Sequence, residues 1–331
     1  MQYFILYTVL LLTGIISCGV NPREKALAIL NEGLKDKSEV IRINAAKALI
    51  ETGNRDGYEI LYRMLQDEDS DAIVAALGAL YILKERTYSP VIAKLSSHSE
   101  PLVRTEAFHL IALSSDTNYK TILVNGANDR IARVRRYAYQ GLVHFRDTRL
   151  LMNGLKDNDP LVRISAAKSL GILGNEQAKD FIKKEMDPKN PNPEIWAYAV
   201  ISLGELCDTS AIPYIKDLLT DTPWDLRVAA AEALLILKDN SGVDILKSGI
   251  QSPDPFIRVK VVEVMGHFPL PDFYELLRQA TKDEYINVSI SAINAVAKYQ
   301  KKENLKLFEQ LLFAPNPLVR IAAASAYLRN L

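Results

Sequence analysis

The amino-acid sequence predicts an all-α fold, an α-solenoid superhelix of about ten helix-turn-helix repeats of about 31 residues. Three observations carry that prediction. Arginine recurs in one phase of a single period, two amphipathic helical patterns fit inside each period, and no window alternates as a strand would. One position read per cycle gives Arg42, Ile73, Arg104, Arg135, Arg163, Trp196, Arg227, Arg258, Ser289 and Arg320. The successive intervals are 31, 31, 31, 28, 33, 31, 31, 31 and 31 residues, so the short interval and the long one together restore the phase to within one residue. Arginine fills 18 of 331 positions, which puts seven arginines at ten phased positions far beyond chance. One helix pair cannot bury its own apolar face, so neighbouring pairs must stack.

Each cycle opens on a cap. Asp159-Pro160-Leu161-Val162-Arg163 is echoed by Asp254-Pro255-Phe256-Ile257-Arg258 and by Asn316-Pro317-Leu318-Val319-Arg320. Asp or Asn accepts the orphan N–H groups of a helix start, and Pro suits the first helical position. The helix that follows, helix B of the repeat, carries small pairs three and four residues after the arginine position: Ala45-Ala46, Ala166-Ala167, Ala230-Ala231 and Ala323-Ala324. Leu49, Leu80, Leu170, Leu203 and Leu234 stand seven after it. Offsets 0, 3, 4, 7 and 11 are expected on one buried face, where alanine lets backbones approach and leucine fills the remaining gap. Turn residues such as Gly174-Asn175 and Asp239-Asn240-Ser241-Gly242 close helix B. Helix A, the other half of the unit, reads as amphipathic at residues 59–65, 211–219 and 304–312.

The stretch Asp-Pro-Leu-Val-Arg-Ile-Ser-Ala-Ala-Lys-Ser-Leu at 159–170 resembles the helix-B signature of HEAT repeats, in particular the short repeats named after phycobilisome lyases. The resemblance spans about residues 22–331. It implies that helix B lines the concave side. It also implies a ladder of Asp–Arg ion pairs along the superhelix, formed by Arg42, Arg104, Arg135, Arg163, Arg227, Arg258 and Arg320. The ladder would be patchy, because Ile73, Trp196 and Ser289 break the arginine row and Ser38, Ile131 and Pro223 stand four residues before it in other repeats. No activity follows, because a fold does not fix a function.

The amino-terminal residues differ from the rest. Residues 1–17 carry no charged side chain, and residues 4–16 are apolar except for Tyr7, Thr8 and Gly14. That run is short for a bilayer-spanning helix and suits a signal-peptide core. It ends at Ile15-Ile16-Ser17-Cys18, which is similar to the lipobox of bacterial lipoproteins, although no Lys or Arg stands near Met1. The resemblance implies a leader at 1–17, diacylation of Cys18, a short linker at 18–21 and a solenoid at 22–331, held in a bacterial cell envelope by its lipid. Cys207 is then the second and last cysteine, and a half-buried structural thiol is expected there. Leu331 follows the last helix-B pattern directly, so the final repeat is expected either to expose an apolar flank or to meet a partner.

Composition excludes some functions. Formal net charge is zero, so no long-range attraction to nucleic acid is built in. The local arginine group (130, 133, 135, 136, 146, 149) reads as one ladder arginine plus a solvated loop, with an anion or lipid-headgroup patch as the alternative. None of His98, His109, His144 and His267 precedes a Glu, so the His-Glu pairs of iron-binding HEAT-repeat hydroxylases are absent. Phosphate loops and nucleophile elbows are absent too, and neither metal nor cofactor is expected.

With the arginine position as zero, offsets 2, 5 and 9 fall near 200°, 140° and about 180°, opposite the core face. They spell Glu106, His109 and Leu113; Tyr137, Gln140 and His144; Ser165, Lys168 and Ile172; Tyr198, Ile201 and Glu205. Aromatic and amphipathic residues mark interface cores. Glu106, His109, Tyr137, Gln140, His144, Tyr198, Ile201 and Glu205 are therefore the candidate lining of a protein- or peptide-binding groove. Cover by adjacent repeats is the competing expectation. Trp196, beside the insertion at 187–193, is expected to pack on that loop. The function expected is a non-enzymatic, exported binding scaffold, and the alternative is an accessory or modifying protein of the bilin-lyase type.

Overall fold

The computed structural model describes residues 21–331 apart from 88, 190 and 221. The leader and Cys18 lie outside the described residues. The described chain is helical without a strand, and its helices form ten pairs. The first five pairs are α1 (Pro22–Gly33) and α2 (Glu39–Glu51), α3 (Asp56–Met64) and α4 (Ser70–Ile82), α5 (Pro90–Leu95) and α6 (Pro101–Ile111), α7 (Lys120–Gly126) and α8 (Ala132–Leu142), and α9 (Thr148–Gly154) and α10 (Pro160–Ile172). The rest are α11 (Gln177–Glu185) and α12 (Pro193–Glu205), α13 (Ile212–Asp217) and α14 (Trp224–Ile236), α15 (Val243–Gly249) and α16 (Pro255–His267), α17 (Tyr274–Ala280) and α18 (Ile286–Ala297), and α19 (Glu303–Leu311) and α20 (Pro317–Arg329). Even-numbered helices pack on the even-numbered helices before and after them, whereas odd-numbered helices pack on even ones. The even helices are therefore the inner row of a curved stack.

Side-chain caps start five of the ten inner helices. The side chains of Asp69, Asp159, Asn192, Asp254 and Asn316 accept first-turn N–H groups, and Pro follows four of them at the first helical position. The carboxyl end departs from expectation. Offset 11 is not on the core face. In seven of the ten repeats it is Gly53, Lys84, Arg146, Gly174, Cys207, Lys238 or Gln300, all with φ between 49° and 93°. A left-handed residue there ends the helix, and the next N–H folds back to the leucine at offset 7: Asn54 to Leu49, Glu85 to Leu80, Asn175 to Leu170, Asp208 to Leu203 and Asp239 to Leu234. Each of those leucines thus fills the core and accepts the capping bond. The cap also carries Cys207 outward, so its thiol is exposed rather than half-buried.

The arginine ladder exists, but its acid is not the one four residues before. That residue is the helix cap. Arg104 Nε meets Asp129 at 3.0 Å, Arg135 meets Asp157 at 2.7 Å, Arg163 meets Glu185 at 2.7 Å and Arg258 meets Asp283 at 2.9 Å. Each arginine reaches forward to an acid at the end of the next outer helix, while its Nη1 donates to two carbonyls of its own interhelical turn. Asp129, Asp157 and Asp283 stand six residues before the next phased position. His98 and Ala314 replace the forward acid where Ile73 and Ser289 replace the arginine, but the two losses are not coupled throughout: Ser252 stands at the acid position ahead of Arg227, and Asp221 at that ahead of Trp196. Arg42 pairs instead with Glu39 at 3.3 Å, and Arg227 and Arg320 bond only carbonyls among the described residues. Trp196 also reaches forward, with its ring 6.1 Å from that of Tyr214 in α13.

The two ends of the stack meet. Helix α20 packs on α1 and α2 as any inner helix packs on the pair that follows it. Gly33 ends α1 where a Cβ would stand 2.8 Å from Ala45 and 3.4 Å from Ile321, so the close approach requires glycine. Ser325 Oγ donates to Glu51 Oε2 at 2.8 Å, and Lys25 Nζ lies 5.9 Å from the Phe313 ring. Leu30, Leu49, Ala323 and Ala324 are fully buried. The inner helix of the final repeat is therefore covered by the first repeat rather than left as an open end face. Ring closure removes the two apolar end faces that an open solenoid must cap.

Candidate inner-groove site

The aromatic side chains of the inner row touch one another across repeats. The His109 ring lies 3.6 Å from Tyr81 and 4.2 Å from Tyr137, centroid to centroid, the latter stacked at 15°. Glu106 fixes the imidazole from the other edge, with Oε2 3.3 Å from Nδ1. Gln140 Nε2 donates to Tyr198 Oη at 2.9 Å, joining α8 to α12 in front of α10. Lys168, on α10, pairs with Glu205 at 2.6 Å and lies 5.9 Å from the Tyr198 ring. Burial pulls the Lys168 ammonium down, but Tyr198, Glu205 and Tyr81 outweigh it and hold the pKa above its ordinary value. Burial pushes the Tyr81 hydroxyl up, with Tyr137 adding to it. The row is thus an aromatic surface in which Lys168 is fixed to Glu205.

Beside it lies a cleft of about 610 Å³, walled by Leu161, Ala197, Tyr198, Ile201, Val228 and Val264. Arg136 stands at one end and Glu232, Glu263 and His267 at the other. The His267 Nδ1 lies 3.7 Å from Glu232. Burial pushes the Glu263 carboxyl up, Glu232 adds to this, and His267 and Lys260 oppose it. Apolar walls with a few polar groups at the ends suit a ligand or an extended peptide.

The structure brings most of the residues singled out from the sequence together on the inner row. Glu106, His109, Tyr137, Gln140, Tyr198 and Glu205 form the connected row, and Ile201 lines the cleft. His144 stands apart: it is exposed, and its Nε2 donates to Ala112 O at 3.1 Å. Ser165, expected in the groove, is fully buried and donates to Arg136 O, because α8 and α12 meet in front of it. The stripe thus lies on the inner row, and neighbouring repeats cover part of it. Tyr81 and Arg136 were not expected. They occupy offsets 8 and 1, on the flank of the helix, and sharp curvature turns that flank inward. Arg135, next to Arg136, is bound to Asp157, so the local arginine group does not act as one patch.

Among the described residues, no group of three or more His, Cys, Asp or Glu is placed to hold a metal ion, and no helix is long and apolar enough to cross a membrane.

HEAT repeats are matched at residues 27–113, 120–188, 188–266 and 243–327. The uncharacterized phycocyanin operon protein Z of Pseudanabaena tenuis (strain PCC 7409) is 26% identical over 141 residues, covering 40% of this chain and 70% of that protein. The solved complex of CpcE and CpcF of phycocyanin lyase from Nostoc sp. PCC7120 aligns with a TM-score of 0.48 and 17% identity, over 73% of this chain and 95% of that one. Human deoxyhypusine hydroxylase in complex with glycerol aligns with a TM-score of 0.38 and 16% identity, over 75% and 97% of the two chains.

Proposed function

The chain belongs to the HEAT-repeat family, and from that premise we propose that it is a non-enzymatic scaffold whose inner groove receives a segment of a protein or peptide partner. One observation carries the reading: the stacked Tyr81–His109–Tyr137 row continues through Tyr198 into an apolar cleft. Aromatic side chains give large contact area at little entropic cost, and residues of this kind dominate interface energetics. A photo-crosslinking amino acid at position 201, inside the cleft, should trap one partner in cells. The same group at position 184, on the outer surface, should trap none. Equal labelling from both positions removes the groove.

Export and attachment through a lipid on Cys18 belong to the same proposal, as does a place in a bacterial cell envelope. They are supported by the apolar run at 4–16 and by Ile15-Ile16-Ser17-Cys18. Palmitate should label the wild type and not Cys18→Ala; an unlabelled wild type removes the anchor.

Similarity to a phycocyanin operon protein favours a second reading, an accessory or modifying protein of the bilin-lyase type. A chromophore retained by the purified protein would favour it over the scaffold.

A further inference from the structure

The proposed groove contains an arginine that the fold does not use. Arg135, one residue earlier, donates to a carboxylate and to backbone carbonyls. Arg136 has no carboxylate partner among the described residues. Its guanidinium lies 5.0 Å from the Tyr137 ring and 5.4 Å from the Tyr198 ring, and Nη2 donates weakly to Tyr137 Oη at 3.3 Å. Its Nε–H is buried and meets no acceptor. Two spaces open onto it: the apolar cleft and a smaller one of about 240 Å³ bounded by Ala132, Asp159 and Glu194. Asp159 is occupied in capping α10, and Glu194 is exposed without pairing with Arg136.

A guanidinium held by aromatic faces keeps its edge free, and that edge matches a carboxylate through two parallel bonds. An unmet donor in such surroundings is costly, so a ligand supplying the acceptor recovers that cost on binding. We propose that Arg136 is a carboxylate-binding anchor, and that the cleft takes a partner peptide segment in which a carboxylate adjoins an apolar side chain. The carboxylate accepts from the Arg136 guanidinium where it borders the cleft, and a small shift of the side chain brings the buried Nε–H into reach. The apolar side chain lies against Tyr198, Ile201 and Val228. Farther along the cleft Glu232 and Glu263 face His267 and Lys260, so the charge of the continuing chain is not fixed there. This rests on the groove reading and names the chemistry of its occupant. A free carboxyl terminus and an Asp or Glu side chain offer the same group.

The test uses three probes on the full mature chain: N-acetyl-Leu-Phe with a free carboxylate, its carboxamide, and N-acetyl-Leu-Glu-amide. Binding is followed by calorimetry and by the Arg136 Nε–H resonance. The free acid or the glutamate peptide should move that resonance saturably at concentrations up to about 1 mM. The carboxamide should bind about tenfold more weakly or worse. A preference for the first acid assigns a chain terminus, and a preference for the second assigns a side chain. Arg136→Gln should abolish the difference between acid and amide, and Arg136→Lys should keep part of it. Equal binding of acid and amide would overturn the anchor while leaving the groove standing. No response from any probe would overturn the anchor as well. The wild-type acid–amide comparison decides the matter even if Arg136→Gln fails to fold.

Discussion

Glu51 and Ser325 stand 274 residues apart in sequence, and the Ser325 hydroxyl donates to the Glu51 carboxylate at 2.8 Å. Arg329 approaches the same carboxylate at 3.7 Å. These contacts join the inner row at its seam, so the first repeat serves as the neighbour of the last. Curvature enough to close the ring also draws α8 and α12 together in front of α10, through Gln140 and Tyr198. The closed fold and the aromatic groove thus have one cause.

The forward ion pairs tie successive repeats together. Arg135 and Asp157 are bonded twice at 2.7 Å, with side chains 18% and 11% exposed. Asp157→Ala should lower unfolding stability by about 2–3 kcal/mol, because it strands a half-buried guanidinium. Replacing both partners with apolar residues should recover most of that loss. Urea denaturation of the single and double variants measures both.

Acid should weaken the ladder. Burial raises the Asp157 and Asp283 carboxyls, but bonds from Arg135 and Arg258 and from the Asp159 and Tyr285 N–H groups more than offset it, so both titrate below an ordinary aspartate. Bonds from Lys216 and Ser241 hold Asp239 down to about 2. A depressed folded pKa stabilises fully above the unfolded value, near 3.9, and the contribution is lost as pH falls through the folded value. The urea midpoint should therefore fall steeply below about pH 4. Glu263 has the opposite sign: its carboxyl is raised by burial and by Glu232, so ionisation costs stability as pH rises. Glu263→Gln should raise the midpoint at neutral pH and lose that advantage below about pH 4.

The left-handed caps make a paired prediction. Lys238 holds φ at 62°, where a Cβ is strained, and Gly174 holds φ at 93° with nothing within 4 Å of an added Cβ. Lys238→Gly should stabilise by about 1 kcal/mol, and Gly174→Ala should destabilise by a similar amount. Thermal melts of the two variants should shift in opposite directions.

Tyr214 packs its ring beside Trp196, but its hydroxyl is buried without a partner. Tyr214→Phe should be neutral or stabilising by up to about 1 kcal/mol, because it removes an unmet polar group and keeps the ring. A loss of stability would reveal a bond to that hydroxyl.

The period, the caps and the core leucines were legible in the sequence because each depends on residues within one helix. Asp159-Pro160 and Leu170 need no knowledge of the neighbouring repeat. The ladder acid was harder to find, since its pairing crosses from one repeat to the next, yet the six-residue lead of Asp129, Asp157 and Asp283 was visible as a pattern. Offset 11 was misread as core because it continues the helical phase, while lysine and arginine at Lys84, Arg146 and Lys238 argued against burial. Closure and the inward turn of Arg136 and Tyr81 were not legible. They arise from small rotations summed over ten repeats, and no single residue encodes that sum.

The most direct measurement is the distance between spin labels at positions 51 and 325. Ring closure predicts one short, narrow separation that persists on dilution and widens only with global unfolding. A broad separation several times larger, approaching the roughly 80 Å of nine interaxial steps laid end to end, would contradict it.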